Sequence, residues 1–212
     1  MGNAFSTAEW IGYYSKKRIV HQWTQLHLLS RVPARRVLEI GPAMGLVTAL
    51  LVNAGYEVET LDQGPRCFAE PAVRHIEADL AVLRGSDIPG YDAILCCETL
   101  EHLEWAAAGR ALTALRASGA RWLVVSVPYM AFQVTFDFYA NRHALAHYFS
   151  LKKLLGRRDF TPEPPGGHQW EIGYRDMPLR RWEARLRETG WAIQAREFTG
   201  HTRSVFHLLE AA

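Results

Sequence analysis

The sequence predicts an α/β fold: a parallel sheet wound on both faces by helices. Three observations predict it. Short apolar runs alternate with helix-patterned segments from Arg36 to Val127, and such alternation implies parallel strands joined by right-handed crossovers. A glycine-bearing turn, Gly41-Pro42-Ala43-Met44-Gly45, follows the first run directly. It puts a helix N-terminus, with unpaired N–H groups and a positive dipole end, at the carboxyl end of a strand. Two strand-like runs, Trp191–Phe198 and Arg203–Leu209, close the chain and bring the strand count to seven.

Length and composition set the frame. With 212 residues, 49% of them hydrophobic, the chain suits one large core with room for an extension or insertion. A formal net charge of +2 argues against a dedicated nucleic-acid partner. The three cysteines, two of them adjacent at Cys96 and Cys97, match neither a disulfide framework nor a metal-ligand spacing, so no metal site is expected. Without a basic-then-apolar leader or an 18-residue apolar window, the expectation is a cytoplasmic protein with no membrane partner. Oligomeric state is open, a homodimer being one alternative.

The elements follow in order. Residues 1–32 read as a helical extension. Ser6-Thr7-Ala8-Glu9 has capping-box spacing, Gly12 interrupts the helix, and Ile19, Trp23 and Leu26 continue at i, i+4, i+7 to about Ser30. Residues 33–212 form the main domain. Its first strand is Val37-Leu38-Glu39-Ile40. Leu46, Val47, Leu50, Leu51 and Ala54 recur at helical spacing up to Gly55. Glu57–Asp62 is the second strand, Val73–Leu80 the third with its exit, and Tyr91–Cys97 the fourth. Leu103–Ser118 is an amphipathic helix with Ala107, Ala108, Ala111, Leu112 and Leu115 inward, and Trp122–Val127 is the fifth strand. From about 129 to 172 the alternation stops. This insertion is aromatic, is basic between Arg142 and Arg158, and turns Pro- and Gly-rich from Pro162 to Gly167. It is read as a helical cap over the sheet edge. A helix carrying Leu179, Trp182 and Leu186 then precedes the last two strands.

The ligand-binding signals lie at strand ends. A dinucleotide fingerprint would need glycine at Gly41, Ala43 and Leu46, and two of the three fail. What stands is acid-x-Gly-x-x-x-Gly, from Glu39, Gly41 and Gly45. Asp62 ends the second strand 23 positions after Glu39, where an acid can accept hydrogen bonds from both hydroxyls of a ribose. Glu98-Thr99-Leu100-Glu101-His102-Leu103 follows the fourth strand, and His168-Gln169-Trp170-Glu171 precedes the last helix.

Together these segments resemble class I, Rossmann-like S-adenosylmethionine-dependent methyltransferases of small-molecule type. The first motif of that family is written E/D-x-G-x-G-x-G, and Ala43 departs from it at the middle glycine. The Glu98–Leu103 segment resembles the family's fourth motif, and the His168–Glu171 segment resembles one before its last helix. The resemblance covers roughly 36–126 and 168–209. It implies a mostly parallel seven-stranded sheet with an antiparallel last strand, and S-adenosyl-L-methionine as cofactor. It implies cofactor contacts from Glu39, Gly41, Pro42, Ala43 and Gly45, from Asp62 and Gln63, from Asp79 and Leu80, and from Cys97 and Glu98. It further implies a small-molecule or sugar-type acceptor held near the insertion. Tyr13, His143, His147 and Trp170 are the acceptor-binding candidates.

Methyl transfer from a sulfonium needs alignment and exclusion of water, and an oxygen acceptor also needs its proton removed. His102 is the leading base, because it follows the strand whose end faces the methyl and histidine is the side chain suited to general-base work at physiological pH. His168 and Glu171 are the other catalytic candidates. Glu101 could orient His102 only if the backbone turns between them, since adjacent helical residues point apart. Neither the Pro-Cys nucleophile nor the N-P-P-Y tetrapeptide of nucleic-acid methyltransferases occurs at the fourth strand. An RNA or protein methyltransferase and a non-catalytic S-adenosylmethionine-binding protein are the alternatives.

Overall fold

The computed structural model describes residues 5–68, 72–152 and 158–212. Its main sheet contains β1 (Arg36–Ile40), β2 (Glu57–Asp62), β3 (Arg74–Glu77), β4 (Ala93–Cys97), β5 (Trp122–Pro128), β8 (Trp191–Thr199) and β9 (Ser204–Ala211). The helices are α1 (Thr7–Tyr13), α2 (Lys16–Leu29), α3 (Leu46–Asn53), α4 (Trp105–Ala117) and α5 (Leu179–Glu188). β6 (Gln133–Ala140) and β7 (Leu145–Lys152) form a separate antiparallel ribbon.

The seven strands run in the order β3-β2-β1-β4-β5-β9-β8. β9 is antiparallel to both neighbours, and the other pairs are parallel. Side chains alternate between the two faces, as the period of a strand requires. Val37, Leu95, Val124 and Phe206 pack with Leu28 and Leu29 of α2 and Val47 and Leu51 of α3. Leu38, Ile94, Leu123 and Val125 face the other way, onto Ala108 and Leu112 of α4 and Trp182 and Leu186 of α5. Helices therefore cover both faces, and the sheet core is apolar from both sides. The chain runs outward from β1 to β3 in one direction and from β4 to β5 in the other. The crevice at the carboxyl ends of β1 and β4 is thus the topological switch point, the usual ligand position in such sheets.

Two expectations about packing change. In α2, Ile19 and Trp23 face solvent, while Leu26 of the same spacing is buried together with His21, Thr24, Gln25, Leu28 and Leu29. Polar side chains occupy much of the inward face, so hydrophobic spacing marked the helix but only one of its three positions for the core. The described part of the insertion forms a β-ribbon where the sequence predicts a helical cap. Alternation of Val134, Phe136 and Phe138 with Gln133, Thr135 and Asp137 has the period of a strand. Lys153 and Arg157 of its basic run lie outside the described residues. The ribbon rests on the β8–β9 turn, where Asp137 pairs with His201 at 2.6 Å and Tyr148 packs on the same ring at 4.8 Å. In the extension, the Ser6 hydroxyl accepts from the Glu9 N–H and the Glu9 carboxylate accepts from the Ser6 N–H, closing the capping box of α1. Among the described residues, no helix is long and apolar enough to cross a membrane.

Candidate functional site

The turn after β1 reverses the chain in five residues. Gly41 donates to the Leu61 carbonyl at 2.9 Å and Gly45 to the Pro42 carbonyl at 2.9 Å. Both glycines have left-handed backbones, φ +70° and +81°. A Cβ at Gly41 would stand 2.6 Å from Thr99 Oγ1, and one at Gly45 would stand 2.5 Å from Phe68 Cγ. These two positions therefore require glycine on steric and conformational grounds. Ala43 also has positive φ, +47°, which costs a residue with a Cβ about 1–2 kcal/mol. Beneath the turn Glu39 is buried, and the Thr48 hydroxyl donates to its Oε2 at 2.6 Å. Burial pushes its carboxyl up to about 7, against the lowering effect of the Thr48 bond.

Two adjoining cavities, each of about 540 Å³, open on this turn. They share Tyr13, Ile40, Gly41, Ala43, Glu98 and His102. The first continues past Asp62 and Gln63 at the end of β2 to Ala78, Asp79 and Leu80 at the end of β3. The second continues past Glu39, Pro42 and Cys97 to Glu101, His168 and His201. Every residue expected at the cofactor therefore lines one or both cavities, except Gly45, which shapes the turn from behind. Leu80 is buried and supplies an apolar wall, while Asp79 is exposed and accepts from the Ala81 N–H at 2.8 Å. The Cys97 thiol is pushed well up by burial, so it serves as wall rather than nucleophile.

An acidic and histidine-rich cluster separates the two cavities. Glu98 leaves β4 with a left-handed backbone, φ +49°, a strained conformation of the kind found at ligand sites. Its Oε1 accepts from the Ser126 hydroxyl at 2.9 Å, and burial pushes its carboxyl up to about 7. Leu100–His102 then form a single tight 3₁₀ turn. That turn sends Glu101 into the interior and His102 outward to the cavities. Glu101 is fully buried, and neither carboxylate oxygen has a hydrogen-bond partner. Burial first, and the neighbouring Glu98 carboxylate second, raise its pKa well above the usual carboxylate range. His102 Nδ1 lies 3.0 Å from the Gly166 carbonyl. His168 Nδ1 lies 2.7 Å from Glu171 Oε1, and that hydrogen bond holds the imidazole above its ordinary pKa. The two imidazoles meet edge-on at 5.0 Å, and the Gln169 N–H donates to the Glu101 carbonyl at 2.7 Å. So the His102, His168 and Glu171 candidates do converge, pinned by the 163–168 loop.

Other candidates do not reach the cavities. Trp170 is 1% exposed, its indole N–H donates to the Leu103 carbonyl, and its ring meets Trp105 edge-on and Trp182 at a tilt in the core. It supports the site from behind and offers no surface to an acceptor. His143 and His147 sit exposed on the ribbon, which lines neither cavity. Among the described residues of the insertion, Gly166 and His168 line them. Tyr13 does stand over both cavities, with the Arg18 guanidinium 3.8 Å above its ring. Tyr14, which the sequence offers with Trp10 and Tyr13 as packing or as a lid, accepts through its hydroxyl from the Leu46 N–H at 3.2 Å at the start of α3. Sequence reasoning missed His21, Gln25, His201 and Thr202, which line the second cavity. None carries a local pattern that marks it.

Comparison with known proteins adds three findings. No family model matches the chain. A ubiquinone biosynthesis O-methyltransferase from Alkalilimnicola ehrlichii is 26% identical over 165 residues, which is 73% of this chain and 60% of that protein. The chain thus spans about three fifths of the length of this curated relative. Among solved structures, the Burkholderia thailandensis 1,6-didemethyltoxoflavin-N1-methyltransferase, with S-adenosylhomocysteine bound, superposes with a TM-score of 0.60 at 15% identity, covering 97% of this chain and 86% of that one. The magnesium protoporphyrin IX methyltransferase of Synechocystis PCC 6803, with S-adenosylmethionine bound, gives 0.59 at 18% identity over 92% and 81%. The mostly parallel seven-stranded sheet with its antiparallel β9, the acid-x-Gly-x-x-x-Gly turn and these superpositions agree: the chain has the fold of class I S-adenosylmethionine-dependent methyltransferases.

Proposed function

We propose that the protein is an S-adenosylmethionine-dependent methyltransferase acting on a small molecule. One observation carries the reading. The ends of β1, β2 and β4 bring Gly41, Asp62 and Glu98 to one cavity, and a second cavity of equal size adjoins it across Glu98 and His102. A donor and an acceptor site side by side is what a two-substrate transfer requires. The residues fit the cofactor. Asp62 offers a carboxylate for two ribose hydroxyls, Leu80 an apolar wall for a base, and the turn its Ala43 and Met44 N–H groups for a carboxylate. Glu39 and Glu98 supply carboxyls near a cationic ligand. When bound, the cofactor supplies an already activated methyl group.

This chain's residues then have three tasks. Tyr13, Tyr14 and the α1–α2 extension cover the Gly41 turn and keep water out. The cluster of His102, His168 and Glu171 receives the acceptor's proton, with the Glu171 carboxylate orienting the His168 ring through Nδ1. The second cavity positions the acceptor atom in line with the methyl. The name of the curated relative, an O-methyltransferase, favours an oxygen acceptor. Calorimetry tests the reading: S-adenosylhomocysteine should bind at micromolar strength and NAD not at all. A preference for NAD would overturn it.

A further inference from the structure

We propose that Glu101, His102 and His168 form a binding site for a divalent transition-metal ion in the wall of the second cavity. Each residue offers one ligand atom, and these atoms lie within 4.8 Å of one another. Bonds of about 2.0–2.2 Å to a shared ion put adjacent ligand atoms about 3–3.6 Å apart, so the widest of these separations would close by roughly 1 Å or more on binding. All three residues line the same cavity.

Three further observations point to a cation. The Glu101 side chain is fully buried and both of its oxygens lack a hydrogen-bond partner. A buried carboxylate left in this state is costly, and a bound cation removes the cost. Both imidazoles have one nitrogen committed elsewhere: His102 Nδ1 to the Gly166 carbonyl, and His168 Nδ1 to Glu171. Metal-binding histidines show that arrangement, the second nitrogen donating to a carbonyl or carboxylate and leaving Nε2 for the ion. The backbone also holds the three residues together, because the Gln169 N–H donates to the Glu101 carbonyl. Linear spacing gave no hint of this, since residue 168 is distant in sequence from 101 and 102.

The ligand set names the ion class. Two imidazoles and one carboxylate suit Mn²⁺, Zn²⁺, Fe²⁺ or Co²⁺ better than Mg²⁺ or Ca²⁺, which prefer all-oxygen sets. Three protein ligands leave positions for water or an acceptor oxygen. On the methyltransferase reading above, the site suits an acceptor whose hydroxyl or phenol oxygen ligates the ion and loses its proton to solvent at neutral pH; with both ring nitrogens engaged, His102 and His168 would then hold the ion in place of taking that proton. Ion binding itself does not rest on that reading.

The test is a titration of the full-length protein after chelator treatment and dialysis. Mn²⁺, followed by electron paramagnetic resonance, and Zn²⁺, followed by calorimetry with a thermal-shift control, should each bind at one equivalent. Glu101→Gln and His168→Ala should lose that binding, and Glu171→Gln should weaken it about 10–100-fold. S-adenosylhomocysteine affinity reports separately on folding and on the cofactor site. Wild-type protein that binds S-adenosylhomocysteine but no stoichiometric metal overturns this proposal and leaves the methyltransferase reading standing. Metal binding that survives both Glu101→Gln and His168→Ala also overturns it. Metal binding without S-adenosylhomocysteine binding supports the site and sinks the methyltransferase reading instead.

Discussion

The two cavities differ in how they are built. The first is walled mostly by residues at strand ends, Gly41 after β1, Asp62 at the end of β2, Asp79 and Leu80 after β3 and Glu98 after β4, joined by Tyr13, His102 and Gly166. The second draws on five separate parts of the chain: the N-terminal extension, the β1–α3 turn, the Glu98–His102 turn, the 163–168 loop and the β8–β9 turn. The first is scaffolded by backbone hydrogen bonds of the sheet. The second holds Glu39, Glu98 and Glu101, whose carboxyls burial pushes upward, and two histidines within ring contact. Such concentration of perturbed groups is a physical pointer to a functional site. On the function proposed above, the sheet edge takes the cofactor and the more variable segments take the acceptor.

Substitutions that separate the cavities test this contrast. The largest effect is expected at the cluster. His102→Ala should lower kcat by about 10²–10⁴-fold if it takes the acceptor's proton, with cofactor affinity unchanged. Turnover with an acceptor found by thermal-shift screening and calorimetry with S-adenosylhomocysteine would show whether the two readouts part. Asp62→Ala should do the reverse, weakening S-adenosylhomocysteine by about 1–3 kcal/mol through lost charge-assisted hydrogen bonds. Equal loss of binding in both variants would dissolve the distinction.

The third prediction concerns pH. His21 lies in the wall of the second cavity against Phe206, and burial first, then Arg18, lowers its pKa to about 4. The folded state then binds fewer protons than the unfolded state between pH 6.5 and 4. Stability is fully present above pH 6.5 and falls as pH drops through that window, by about 3 kcal/mol. Glu39 works the opposite way, because its raised pKa favours the folded state at low pH and loses that advantage as pH rises toward 7 and beyond. Urea unfolding of His21→Gln beside wild type should show a shallower acid limb in the variant. An unchanged slope would mean that His21 is protonated inside the fold.

Smaller effects test the first cavity's frame and the ribbon. Ala43→Gly should raise stability by about 0.5–1 kcal/mol, since glycine relieves the left-handed strain at a modest entropic cost. A denaturation midpoint shifted upward would show it, and a lower midpoint would place the strain elsewhere. Replacing β6 and β7 by a short turn should leave S-adenosylhomocysteine binding unchanged, because the ribbon lines neither cavity. If that variant also methylates with unchanged KM, the ribbon takes no part in acceptor binding, and Tyr13 and the 163–168 loop are the acceptor contacts to test next.

The sequence by itself determined the sheet and its ligand-facing edge. Strand periodicity, the Gly41–Gly45 turn and an acid at Asp62 are local patterns, and each states its geometry within a few residues. Backbone sterics and hydrogen bonding act at that range, so Gly41, Asp62 and Glu98 were legible before any packing was known. Tertiary structure alone decided which side of α2 is buried, that Trp170 belongs to the core, and that His143 and His147 stay on an exposed ribbon. It also decided that Glu101, His102 and His168 share one corner of a cavity. The physical reason is range. Burial, paired imidazoles and an orphaned carboxylate arise from contacts between segments far apart in the chain, and no local pattern of residue types encodes them.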